Sequence, residues 1–275
     1  MTDRYAVMGH PVAHSLSPRI HAAFARQTGQ ELVYEAIDVL PEDFAEAVAR
    51  FRAEGGRGLN VTVPHKEAAF ALAERRRSRA EEAGAANTLW WEEGVLVADN
   101  TDGVGLVRDL TGNLGWSIQG RRVLLVGAGG AAQGVVGPLL EQHPAALHIA
   151  NRTVERAVRL AARFSGRGVP VSAGGLPELA DFPAWDLVLN ATAAGLRNEA
   201  PPLPDAVVGA HTLAYDMMYR LEESTAFVRW ARERGAQAVA DGLGMLVEQA
   251  AEAFRLWRGV LPDTAPVLAS LRPRK

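Results

Sequence analysis

Cysteine is absent from this 275-residue chain, and lysine occurs only twice, at Lys66 and Lys275, among 29 basic residues. Without cysteine there is no disulfide, no thiolate nucleophile and no zinc-thiolate site. An excess of one charge sign is lacking too: the formal net charge is -3, and the arginines are scattered apart from the run Arg75-Arg76-Arg77, which reads as a solvated helix face. The basic footprint of a nucleic-acid binder is therefore missing. No apolar run approaches the roughly 20 residues that span a membrane, and the start MTDRYAVMGH has no long apolar region of the signal-peptide kind. A cytoplasmic protein is expected, with neither membrane nor nucleic acid as partner.

What is present is globular: 48% hydrophobic and 22% charged residues over a length that suits two domains. Short apolar runs alternate with longer helical patterns. Strands are expected at Tyr5–Gly9, Val33–Val39 and Gly58–Val63, and helices at Pro18–Gln27, Pro41–Glu54 and Lys66–Ala83. Thr88–Trp91 and Val95–Ala98, around a turn at Glu93-Gly94, read as an antiparallel pair added to that series. The alternation predicts an α/β fold with a mostly parallel sheet. A second series begins at Arg122.

That second series opens with VLLVGAGGAAQG, in which the strand Val123–Val126 runs through Gly127-Ala128-Gly129-Gly130-Ala131 into an apolar helix. Glycines between strand and helix let the backbone approach a pyrophosphate at a helix N-terminus, the arrangement of a Rossmann-type domain. The next strand, Leu147–Ala150, ends in Asn151-Arg152-Thr153. An NAD site commonly carries an acidic residue there; arginine suits the 2′-phosphate of NADP, and Arg156 one turn later supplies a second cation or a solvent-facing one.

Taken together, GHPVAHSLSPRIH, GLNVTVPHKE, GAANTL, DNTDGVG, GAGGAAQG, NRTVERA, NATAAG, YDMMY and DGLGMLVEQAA occur in the order in which they occur in the shikimate dehydrogenases, and the chain resembles that family along nearly its whole length. The resemblance implies a two-domain enzyme that reversibly reduces 3-dehydroshikimate to shikimate with NADPH. The two strand–helix series then give a substrate domain of residues 1–103 plus 242–275 and an NADP domain of residues 104–241. The connecting helices Gly103–Leu114 and Gly242–Trp257 would place Asp102 and Gln249 at the cleft.

The family reading also gives Lys66 a reason. Hydride transfer to or from an alcohol carbon requires a proton to join or leave the oxygen. A guanidinium stays charged and cannot exchange it, whereas an amine can. Lys66 matches the lysine of the family's motif and is the expected general acid/base, with Asp102 of NTDG as its partner; read alone, Asp102 is also a helix N-cap. Asn60, Thr62, Asn87 and Gln249 match residues that read the ring hydroxyls, and Tyr219 matches a substrate-binding tyrosine. Met217 and Gly242 match positions on the nicotinamide side. In HSLSPRIH, Ser15 and Ser17 match the two serines beside the substrate carboxylate, while Ser17 before Pro18 also reads as a helix cap.

The chain departs from the family at Arg220-Leu221-Glu222-Glu223-Ser224, one residue longer and without proline, and at Ser78, where relatives carry an acidic residue. The four histidines of the first half have no paired metal-ligand spacing, and no metal is expected. Use of quinate or NAD, and a noncatalytic ligand-sensing role, are the alternatives; the intact Lys66 and Asp102 speak against the last. The assembly expected is a monomer or a homodimer.

Overall fold

The computed structural model describes residues 2–272. In chain order the elements are β1 (Asp3–Gly9), α1 (Ser17–Thr28), β2 (Leu32–Asp38), α2 (Phe44–Ala53), β3 (Gly56–Val61), α3 (Lys66–Leu72), β4 (Arg75–Arg76), α4 (Ser78–Ala83), β5 (Thr88–Glu92), β6 (Val95–Asp99) and α5 (Asp102–Arg108). They continue with β7 (Arg122–Val126), α6 (Gly130–Leu140), β8 (Ala146–Ala150), α7 (Val154–Ala162), β9 (Val171–Gly174), β10 (Leu187–Asn190), β11 (Leu213–Asp216), α8 (Ala226–Glu233), β12 (Ala238–Asp241), α9 (Leu243–Arg258) and α10 (Ala265–Leu271). No helix among the described residues is long and apolar enough to cross a membrane.

The chain forms two compact units, one of residues 2–105 with 246–271 and one of residues 106–245. In the first, six strands run in the order β2-β1-β3-β5-β6-β4. β1 pairs in parallel with β2 and β3, whereas β5 is antiparallel to both β3 and β6. The core between this sheet and its helices is built from Ala6, Met8, Leu59, Val61 and Leu89 of the strands with Phe44, Val48 and Phe51 of α2. On α9, Trp257 stacks on Tyr5 with ring centroids 4.8 Å apart and donates to the Leu89 carbonyl. A side chain at Gly58 would run into that indole.

The second unit is an all-parallel sheet in the order β12-β11-β10-β7-β8-β9. Its central strands are apolar on both faces, as a sheet covered on both sides demands. Val123, Leu125, Leu187, Leu189 and Tyr215 face one core, and Leu124, Val126, Val188 and Ala214 face the other, the strict alternation of a strand.

The continuous helix expected over Lys66–Ala83 is broken. α3 ends at Leu72, Ala73 turns extended, and Arg75–Arg76 form a short edge strand parallel to β6 before α4 begins at Ser78. The free edge of β6 is the cause: the Leu96 carbonyl accepts from the Glu74 N–H at 3.0 Å, and the Ala98 carbonyl from the Arg77 N–H at 2.9 Å. The arginine run is accordingly an edge strand and not a helix face, with Arg75 and Arg77 both paired to Glu92. Charge on an edge strand blocks pairing with another chain. The helix expected over Gly103–Leu114 likewise stops at Arg108 and finishes as a π-helical turn, Asp109–Asn113.

Candidate active site

Lys66 is the first residue of α3, a position where the helix dipole disfavours a cation. A carboxylate compensates. Lys66 Nζ donates to Asp102 Oδ2 at 2.5 Å, and the two side chains are only 13% and 7% exposed. The other oxygen, Asp102 Oδ1, accepts from Asn87 Nδ2 at 2.8 Å. Both carboxylate oxygens thus bind side chains, and α5 starts at Asp102 itself, so Asp102 is not its cap.

Asn87 is the hub of this cluster. Its Nδ2 also faces Thr101 Oγ1 at 3.0 Å and Gln249 Oε1 at 3.3 Å, and its Oδ1 accepts from the Thr101 N–H at 2.8 Å. Asn60 Nδ2 donates to the Asn87 carbonyl at 3.2 Å, and Asn60 Oδ1 accepts from the Tyr34 hydroxyl at 2.7 Å. Lys66, Asp102, Asn87, Gln249 and Asn60, read separately along the sequence, form one connected network. Thr62 lies just beyond the end of β3, half-buried, with its N–H bonded to the Met8 carbonyl.

Of the two readings of Ser17, the helix cap does not hold. α1 starts at Ser17 itself, so Ser17 is not its cap; Ser15 Oγ accepts from the Ser17 N–H at 3.2 Å. Ser15 therefore carries the local backbone bond, and the Ser17 side chain is free of capping. Behind Ser17, one turn along α1, His21 is fully buried with its ring stacked on Tyr34 at 4.1 Å and 5°. Burial pushes the His21 ring down to about 3, so it is neutral. Burial also pushes the Tyr34 hydroxyl well up, opposed by Ser17.

In the second unit, the turn after β7 is built for a close approach. Gly127 has φ +116°, where a side chain is strained, and a Cβ there would lie 3.0 Å from the Ala191 carbonyl oxygen. Gly129 caps α6, and a Cβ on it would meet open space. The free N–H groups of Gly130 and Ala131 thus stand at a helix start that a phosphate can reach. After β8, Asn151 Nδ2 donates to the Thr153 carbonyl at 2.9 Å and sets the turn. Arg152 and Arg156 are exposed and make no ion pair among the described residues. An open glycine cradle followed by two uncommitted guanidinium groups fits a phosphorylated dinucleotide.

Met217 follows β11, and its N–H bonds the Asn190 carbonyl at 2.9 Å. A side chain at Gly242 would collide with the Met217 carbonyl, so glycine is required for the two backbones to meet. Tyr219 lies two residues beyond Met217, in this same second unit.

Four further polar residues belong to these clusters: Tyr34 and Thr101 in the first unit, Asn190 and Asp216 in the second; the last three stand within the motifs DNTDGVG, NATAAG and YDMMY, which gave them no role. A signal exists for the last two, since LVLN and LAYD each end a buried apolar strand on a polar residue at the C-terminal edge, where ligands of open α/β sheets bind. Tyr34 carries no such mark, because it sits in an edge strand of mixed burial.

An all-parallel sheet with a glycine turn, in a chain whose other unit pairs a half-buried lysine with a carboxylate, defines an α/β oxidoreductase of the dinucleotide-dependent class. Family models for the shikimate dehydrogenase substrate-binding domain, for shikimate/quinate 5-dehydrogenase and for the shikimate 5′-dehydrogenase C-terminal domain match residues 7–89, 109–197 and 242–272. An NADP(+) shikimate dehydrogenase of Alkalilimnicola ehrlichii is 56% identical over 99% of this chain and 100% of the relative. The chain belongs to the shikimate dehydrogenase family. Among solved structures, an Ael1 enzyme from Pseudomonas putida superposes with a TM-score of 0.90 at 46% identity, covering 99% of each chain. The shikimate 5-dehydrogenase of Thermus thermophilus, solved in complex with NADP(H) and shikimate, gives a TM-score of 0.86 at 37% identity over 98% of each chain.

Proposed function

We infer that this chain is an NADP-dependent shikimate dehydrogenase, catalysing the reversible reduction of 3-dehydroshikimate to shikimate in the cytoplasm. The observation that carries the reading is the Lys66–Asp102 pair at 2.5 Å inside a cluster of amides and hydroxyls, in a chain of this family. We assign the substrate to the unit of residues 2–105 and 246–271 and the dinucleotide to the unit of residues 106–245.

Bound NADPH supplies the hydride that reduces the substrate carbonyl. The chain supplies the proton and the orientation. Lys66, hydrogen-bonded to Asp102, gives a proton from Nζ to the oxygen that becomes the hydroxyl, and in the reverse direction its amine takes that proton back. Asp102 fixes the direction of the ammonium through Oδ2 while Asn87 fixes Asp102 through Oδ1. Asn60, Thr62, Asn87 and Gln249 present both donors and acceptors to the ring hydroxyls. Ser17, free of the cap, and Ser15 donate to the carboxylate near the start of α1, and Tyr219 is assigned to the substrate through its motif. In the dinucleotide site, Gly127 to Ala131 receive the pyrophosphate, Asn151, Arg152, Thr153 and Arg156 the ribose 2′-phosphate, and Met217 and Gly242 flank the nicotinamide.

Steady-state kinetics of the purified protein with shikimate and with quinate, each against NADP and NAD, test the reading. Turnover is expected with shikimate and NADP, with NADP preferred over NAD. A protein that oxidises neither acid with NADP would overturn it.

A further inference from the structure

Asp216 ends β11 fully buried, beside Asn190 at the same register on β10. Its Oδ1 accepts from Asn190 Nδ2 at 3.0 Å and from the Met218 N–H at 3.1 Å. Asn190 in turn uses its own Oδ1 to accept from the Thr192 N–H at 3.1 Å and the Thr192 hydroxyl at 2.8 Å. One carboxylate and one amide therefore hold the first residues of two different loops, 191–197 and 217–224. The loops also touch: a Cβ at Gly195 would lie 2.8 Å from Met218 Cγ, and Gly127 of the glycine turn packs against the Ala191 backbone.

The chemistry of this pair is costly. Asp216 Oδ2 is buried with no hydrogen-bond partner at full geometry. Burying a carboxylate oxygen this way is expensive, and two apolar side chains would close the sheet edge at less cost. A short backbone tie from an acceptor-only group does what apolar packing cannot, because it sets the direction of the chain as it leaves the strand.

We propose that Asp216, acting through Asn190, is a positioning residue that sets the loops after β10 and β11 against the glycine turn and thereby shapes the nicotinamide side of the dinucleotide site. The proposal rests on the reading of the second unit as the NADP unit. Met217, between the tie at Met218 and the strand, is the residue whose backbone it places, and Tyr219 follows one residue after the tie.

Three variants test it at pH 8: Asp216→Asn, Asp216→Ala and Thr192→Val. NADPH affinity is read by nucleotide fluorescence, kcat and KM by shikimate oxidation, and folding by thermal melts. Asp216→Ala should weaken NADPH binding about tenfold and lower kcat by at least as much. Asp216→Asn keeps an oxygen for the Met218 N–H and should stay within about threefold of wild type. An alanine variant with wild-type NADPH affinity and kcat, or an asparagine variant as impaired as the alanine, would overturn the proposal. If Asp216→Ala does not fold, Thr192→Val decides: a rise of about threefold or more in the NADPH Kd supports the tie, and an unchanged Kd refutes it. Failure of the family reading would look different, as wild-type protein that binds NADPH and does not turn over shikimate.

Discussion

Lys66 Nζ donates to Asp102, and on the proposed reading the choice of an amine, in a chain that uses arginine almost everywhere else, is chemical. Lys66→Ala should lower kcat by about 10²–10⁴-fold with a small change in the KM for shikimate, since general acid/base help acts in the transition state. Lys66→Arg should leave kcat equally low, because it restores the charge and not the exchangeable proton; wild-type turnover in either variant would remove Lys66 from the chemistry. Asp216 makes a prediction of a different kind. Burial pushes its carboxyl up to about 6 from 3.8, with Asp241 adding to the rise. Between those values the folded chain holds a proton that the unfolded chain has released, so this group's contribution to stability falls as pH rises through that window and stays low above it. Asparagine at 216 cannot titrate. The stability of Asp216→Asn relative to wild type should therefore shift in the variant's favour by about 1 kcal/mol between pH 5 and pH 7.5 in urea denaturation. A constant difference would mean that the carboxyl titrates normally.

Arg79, in α4, donates to Asp99 at the end of β6 through two nitrogens and to Glu252 of α9 at 2.9 Å. The two carboxylates are 3% and 2% exposed, and the loop Asn100-Thr101 leads from Asp99 directly to Asp102. Removing one partner of such a cluster strands buried charge, so Arg79→Ala should cost about 3–5 kcal/mol in chemical denaturation, and a second change, Asp99→Asn, should recover part of it. A loss below about 1 kcal/mol would show that Arg255, which also binds Glu252, suffices. α4 itself illustrates what the sequence could and could not disclose. Strands of Val and Leu between turn residues, and the glycine turn after β7, follow from local chemistry and were legible. The break at Ala73 was not, because Lys66–Ala83 is locally a good helix and yields only to the free edge of β6, brought there by a hairpin that lies later in the chain. The same holds for the site. Lys66 and Asp102 stood out through composition and motif, whereas Tyr34 joins the cluster through a partner 26 residues away, which no local pattern connects.

At the scale of the molecule, each unit has its own sheet and core, and residues 106–245 form one uninterrupted stretch between the two parts of the other unit. Ligands that bind one unit should protect its amides most. In hydrogen exchange read by mass spectrometry, shikimate is expected to slow exchange around residues 87–102 and 246–252, and NADP around 123–135 and 187–193. Shikimate protection centred on residues 123–135 would reverse the assignment of ligand to unit. The placement of α9 also decides the order in which the protein comes into being. During synthesis the strands of the first sheet emerge early, and the central stretch can close its all-parallel sheet as soon as it is complete, as domains generally fold in units. The first sheet has to wait. Trp257, which covers Tyr5 and Gly58, and Gln249, which faces Asn87, are made only after the whole central stretch of residues 106–245. The part of the protein translated first is thus the last to be finished, and a chain cut short anywhere before α9 would lack both the cover of that sheet and one wall of the polar cluster around Lys66.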